Sequence, residues 1–238
     1  MQHPQQAPEA RMNRFLLCTV LLAANAAAFA NPQATDSRRD IDKVNGSITA
    51  EAGQAYGDLG TVNGGIQLDR GASAEDVETV NGGIRAADDV ATRDVSTVNG
   101  AIRFGRQARI TGNLETVNGG IFADRGSRIS GDVSTVNGAI GLVGTAVDGR
   151  IETVNGDVTV GADSRVAGGI RIEKPHGNFG LNFGKHKIPR VVVGPNAVVE
   201  GAMVFEREVK LYVHASARIG SVSGATAVRY DGATPPQD

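Results

Sequence analysis

One tripeptide constrains this chain more than anything else in it. Val-Asn-Gly recurs with its asparagine at Asn45, Asn63, Asn81, Asn99, Asn118, Asn137 and Asn155, at spacings of 18, 18, 18, 19, 19 and 18 residues. Self-similarity at a short fixed period marks an architecture in which each unit buries its apolar side only against its neighbours. Other positions keep the same frame. Three residues after the asparagine stands Ile48, Ile66, Ile84, Ile102, Ile121, Ile140 or Val158. Five after it comes Ala50, Leu68, Ala86, Phe104, Ala123, Leu142 or Val160, and four before it, from the second copy on, Leu59, Val77, Val95, Leu114, Val133 or Ile151. All of these are apolar.

The period selects the fold. About 18 residues are too few for a pair of helices, and the Ile-x-Leu pairs alternate as strands do. Between them lie Asn-Gly, Asp-Arg-Gly and Ser-Gly-Asp, which are turn chemistry. The sequence therefore predicts an all-β, single-stranded parallel β-helix: a three-faced β-solenoid with one coil per repeat. Leucine-rich repeats have a similar length, but their Leu-x-Leu frame and helical half are missing. With coils about 4.8 Å apart, about ten of them would form a stack some 45 to 50 Å long.

Each asparagine then lies above the next copy of itself, so the seven predict a structural ladder of stacked amides rather than a ligand site. The glycine that follows is expected to supply backbone freedom at the corner. The valine before each asparagine is read as facing inward, with the threonine before it (Thr61, Thr79, Thr97, Thr116, Thr135, Thr153) on the outside. On that reading a charge at Val98 should weaken two neighbouring coils, and one at Thr97 should be mild.

The frame divides the chain. Arg11 and Arg14, an apolar run from Phe15 to Ala24, and Ala28-Phe29-Ala30 follow the order of a secretory signal peptide over residues 1–30. Met12 looks like the true start, with the Gln- and Pro-rich residues before it an over-extended reading frame. Residues 31–40 read as a flexible lead-in and 41–172 as regular coils. The Pro- and Gly-containing stretch 173–190 reads as a protruding loop whose Phe179, Leu181 and Phe183 offer a contact for a partner. Residues 191–228 read as less regular terminal coils and 229–238 as a disordered tail. Cys18 is the only cysteine, so after cleavage no disulfide or thiolate chemistry remains. No integral membrane segment is expected in the mature chain.

Charge and composition narrow the function. A net charge of −2 with no basic run argues against nucleic acid as a partner, which needs clustered positive charge. No cofactor or metal is expected, because the Gly-Gly-x-Gly-x-Asp calcium repeat is missing. His176, His186 and His214 could in principle serve a β-helical zinc or acyl-transfer enzyme, and Val193 to Gly201 resembles a hexapeptide stretch. Two of these histidines share the irregular loop, however, so catalysis is not expected. Glu206-Arg207-Glu208 reads as a solvated, ion-paired surface.

The reiterated Thr-Val-Asn-Gly-Gly-Ile unit and segments such as Gly131-Asp132-Val133 resemble the exported bacterial β-strand-repeat proteins of the adhesin type. They are also similar to bactofilins, polymer-forming bacterial β-helix proteins. The resemblance covers about residues 41–228. It implies a right-handed helix and, on the bactofilin side, end-to-end self-association; it brings no active site. Bactofilins are cytoplasmic, whereas this chain begins with an export signal. The expectation is an exported, non-catalytic scaffold, periplasmic or on the cell surface, whose partner is an envelope protein or polysaccharide. A self-polymerising filament is the second reading and an envelope enzyme the third.

Overall fold

The computed structural model describes residues 38–175, 187–232 and 234–236. It is a parallel β-solenoid of about ten coils, as the repeat predicts. Two faces are ten-stranded parallel sheets, and the third has seven short strands extended by the bridges Ala55 to Ser73 and Ser73 to Ala91. Face one runs from strand Arg39–Asn45 through Tyr56–Asn63, Val77–Asn81 and their successors to Val222–Ser223. Face two runs from Ile48–Ala50 to Ala227–Tyr230, and face three from Ala91–Thr92 to Arg218–Ile219.

Register follows the sequence frame. Leu59 pairs with Val77, Val77 with Val95, and Asn63 with Asn81. On face two the stacked residues Ala50, Leu68, Ala86, Phe104, Ala123 and Leu142 alternate small and large. Phe104 thus fills the room left by an alanine above and below, which is how a thin interior reaches native density without large rings throughout.

The inward column of face one differs from expectation. Strand Val95–Asn99 buries Val95 and Thr97, while Ser96 and Val98 point outward, with Val98 half-buried. Thr61, Thr79, Thr97, Thr116 and Thr135 are all buried. Period-2 alternation places the residue two before the asparagine on the same side as the one four before it, so the valine must lie opposite. A buried hydroxyl needs a partner. Each of these threonines donates to the carbonyl of the corner glycine one coil earlier: Thr61 to Gly46 (3.0 Å), Thr79 to Gly64 (2.8 Å), Thr97 to Gly82 (2.9 Å), Thr116 to Gly100 (3.0 Å) and Thr135 to Gly119 (3.0 Å).

The corner glycines are also required for another reason than backbone freedom. Only Gly46 of this column has a left-handed φ, +110°. At Gly64, Gly82, Gly100, Gly119, Gly138 and Gly156 a Cβ would lie 1.7 to 2.2 Å from the carbonyl oxygen of the glycine one coil before. Close approach of successive coils excludes any side chain there.

The break in the repeat leaves the stack intact. Across it, Val158 pairs with Val191 and Val160 with Val193, so the coil is interrupted after Ile172 on face one and resumes with Arg190 on face two. Glu173 N still donates to Thr153 O (3.0 Å), and Asp157 Oδ1 accepts from Arg190 N (2.9 Å) where the chain returns. The remaining loop residues, including Phe179, Leu181 and Phe183, lie outside the described residues. The terminal coils continue the same three faces. The last strand runs through Tyr230, which pairs with His214, and Arg190 donates to the carbonyl of Pro236. Strand structure therefore reaches Tyr230, two residues past 228, and at the other end it begins at Arg39, within the expected lead-in.

Candidate functional site

The seven asparagines form one continuous ladder. Asn63 Nδ2 donates to Asn45 Oδ1 (3.1 Å), and the same bond repeats from Asn81 to Asn63, Asn99 to Asn81, Asn118 to Asn99, Asn137 to Asn118 and Asn155 to Asn137, at 2.9 to 3.1 Å. All six bonds donate towards the N-terminal end. Aligned dipoles of this kind polarise one another. The acceptor left over at the far end, Asn155 Oδ1, receives Arg207 Nη1 at 2.7 Å, and the same nitrogen donates to Val154 O at 3.1 Å. A cation at the negative end of the ladder is the favourable arrangement. Arg207 thus has a defined structural role that its place in a charged tripeptide did not suggest.

A second ladder runs five residues before each asparagine. Asp40 Oδ1 accepts the backbone N–H of Asp58 (3.0 Å), Asp58 that of Asp76 (3.2 Å), and Asp76 that of Asp94 (3.4 Å). Asp94 accepts from Asn113 (2.7 Å), Asn113 from Asp132 (2.9 Å) and Asp132 from Arg150 (2.9 Å). The repeat frame carried this column, and reading only apolar positions missed it. Stacked carboxylates repel, and the consequences are visible nearby. Arg93 reaches Asp76 through Nε at 2.7 Å and also through Nη2, and that contact raises the guanidinium pKa further. Glu78 titrates above its ordinary value, first from desolvation and then from Asp76, Asp58 and Asp94.

His214 sits near the C-terminal end, edge-on to Tyr230. Its Nδ1 faces Ser216 Oγ at 2.8 Å and also accepts the backbone N–H of Ser216 at 3.1 Å. Ser216 Oγ in turn accepts from Asn196 N at 2.9 Å. These are contacts of a turn, and among the described residues no carboxylate is hydrogen-bonded to the ring to orient it as a base. His176 and His186 lie outside the described residues. Among the described residues no three His, Cys, Asp or Glu side chains converge as metal ligands, and no helix is long and apolar enough to cross a membrane.

An open groove of about 390 Å³ lies on face two over the first four coils. Its floor is made of the residues two after each asparagine, Ser47, Gly65, Gly83 and Ala101, and its wall of the outward residues Thr49, Gln67, Arg85 and Arg103. The small floor follows from packing: a Cβ on Gly65 or Gly83 would stand 3.1 Å from the carbonyl of the next coil. The two ends of the stack are the other distinctive places. Lys43 occupies the buried-threonine column in the first coil, paired with Thr61, and its Nζ donates to Ser47 O at 2.7 Å. Arg229 occupies the apolar column of face two in the last coil, paired with Val213, and donates to His214 O and Ala217 O at 3.2 and 3.3 Å. Each end also carries a tyrosine, Tyr56 paired with Arg39 and Tyr230 next to Arg229. Tyr56 accepts the backbone N–H of Glu51 at 3.1 Å, and Tyr230 lies within 3.5 Å of Val193 O. Searches of family models, curated proteins and solved structures found no match to this chain.

Proposed function

We propose that the chain is a non-catalytic interaction scaffold of the bacterial cell envelope, built as a solenoid of fixed length rather than as a filament subunit. The observation that carries this reading is the replacement of a core position by a cation in each terminal coil, Lys43 at one end and Arg229 at the other. A solenoid end presents unpaired backbone groups that invite another copy to stack, and a charged side chain at such an edge guards against that pairing; Lys43 and Arg229, both exposed, stand there in columns that are buried in the other coils. Stacking one copy on another would strip water from Lys43 and Arg229 where the repeat elsewhere places threonine or an apolar residue. Burying an unpaired ion costs several kcal/mol, enough to offset the backbone bonds gained. Location in the envelope rests on the order of charged, apolar and small residues over 1–30, which lie outside the described residues.

Sedimentation and negative-stain microscopy of the mature chain test the proposal. Discrete particles about 45 to 50 Å long are expected. The double variant Lys43→Thr, Arg229→Val should associate end to end. Long fibres from the unmodified chain at modest concentration would favour the filament reading instead.

A further inference from the structure

We infer that the groove on face two binds a linear, carboxylate-bearing polysaccharide, one whose sugars each carry a single negative charge. The inference gives a ligand to the scaffold proposed above and rests on that reading for its setting. Arg85 and Arg103 are directly paired across adjacent strands whose backbones run about 4.8 Å apart, and both are exposed, so two like charges project from neighbouring positions. Like charges directly opposite one another destabilise a sheet. Several other surface arginines find acids: Arg93 with Asp76, Arg128 with Asp148, Arg165 with Glu200. Among the described residues neither Arg85 nor Arg103 has such a partner. An anion laid along the groove would supply it.

The shape and the neighbours narrow the anion. The groove is open and floored by small residues, which suits an extended chain running along the stack rather than an enclosed small ion. Guanidinium forks match carboxylates in two-point contact. A spacing of one arginine per coil is close to the length of one pyranose residue. Thr49 and Gln67 precede the arginines in the same outward column, and Phe122 follows Arg103 in register. Gln67 donates its amide to Asp69 at 2.8 Å, which leaves its carbonyl to accept from a sugar hydroxyl. Phe122 leans over Gly141, where an added Cβ would meet its ring at 3.4 Å, and so presents a half-exposed apolar platform to a sugar face. Cation, hydroxyl, amide and ring in a single file are what a charged glycan requires. Nucleic acid fits less well: the chain carries net negative charge and the groove holds only two cations.

Binding of polygalacturonate oligomers to the mature chain, followed by calorimetry at low salt, tests the inference. Parallel arms use neutral dextran, heparin and oligothymidylate. Polygalacturonate should bind, dextran should not, and Arg85→Gln and Arg103→Gln should each weaken binding by about tenfold. Phe122→Ala should also weaken it. Arg218→Gln, on face three, should leave it unchanged, and circular dichroism should show every variant folded. Absence of polygalacturonate binding, undiminished binding by the double arginine variant, or preference for heparin or oligothymidylate would each overturn the inference. None of those results would alter the particle length or its dependence on Lys43 and Arg229, so the scaffold proposal stands or falls separately.

Discussion

Replacing Gly100 by alanine isolates the role of close coil approach. The new methyl carbon would sit 1.9 Å from Gly82 O, 2.5 Å from Gly82 C and 2.9 Å from Gly83 N, all of them backbone atoms. A comfortable C···O approach is about 3.3 Å, so the two coils must separate locally by more than about 1 Å. Three bonds cross that gap: Thr97 Oγ1 to Gly82 O (2.9 Å), Gly82 N to Asn99 O (3.2 Å) and Asn99 Nδ2 to Asn81 Oδ1 (3.0 Å). At about 1 kcal/mol each, with about 1 to 3 kcal/mol of packing strain, the loss is about 4 to 6 kcal/mol. Gly141→Ala is the control, because its Cβ would meet only the edge of Phe122 at 3.4 Å, and it should change stability by less than about 0.5 kcal/mol. Urea titration by far-UV circular dichroism measures the difference. Because a stack of repeats need not unfold in one step, amide exchange around Gly82 and Gly100 should show the damage locally. Equal midpoints and equal exchange for Gly100→Ala and Gly141→Ala would refute the steric argument.

Other expectations follow from the corrected side-chain directions and the ladders. Thr97→Val should lose about 1 kcal/mol through its hydroxyl bond, and Thr97→Asp about 3 kcal/mol or more by burying a charge, while Val98→Asp should cost less than about 1 kcal/mol; thermal melts rank them. Arg207→Ala should weaken the stack by about 1 to 2 kcal/mol and shift the side-chain amide resonance of Asn155 more than that of Asn63. Glu78→Gln gives a pH signature. A carboxyl with a raised folded pKa contributes stability that is complete below the unfolded value and is lost as pH rises through the folded one. The variant should therefore be more stable than the parent at neutral pH, with the gain vanishing below about pH 4; a constant difference across that range would point to a cause other than ionisation.

Much of the fold was legible because a short period repeats the same physical choice at every coil. The columns Ile48 to Val158 and Leu59 to Ile151 announced their register directly, and the asparagine ladder followed from stacking alone. Hydropathy misled at one place: Val98 looked like core and Thr97 like surface, although the alternation starting at Val95 placed them the other way. The aspartates from Asp40 to Asp132 were equally periodic but went unnoticed among turn residues. Other features were beyond a sequence reading. A glycine excluded from bearing a side chain by its neighbour's carbonyl is indistinguishable from one needed for a left-handed turn. Arg207 meets Asn155 across the interruption between Ile172 and Arg190, and their separation of 52 residues breaks the period. The groove needed the face-two side chains on one side of a small-residue floor, which requires knowing where each corner turns.

The asparagine ladder also bears on chemical ageing. Asn-Gly is the dipeptide most prone to deamidation, since an unhindered glycine nitrogen can attack the side-chain carbon and close a succinimide. This chain carries it seven times. Folding restrains both reactants: six side-chain nitrogens are engaged by the asparagine one coil earlier, and the glycine N–H groups of Gly46, Gly64 and Gly82 are donated to a carbonyl one coil later at 2.9 to 3.2 Å. A single conversion to aspartate would remove a donor from the file and place a negative charge against its neighbour's oxygen. Shelf life and fold are therefore coupled in this molecule, and a loosened corner would open the route to its own covalent decay.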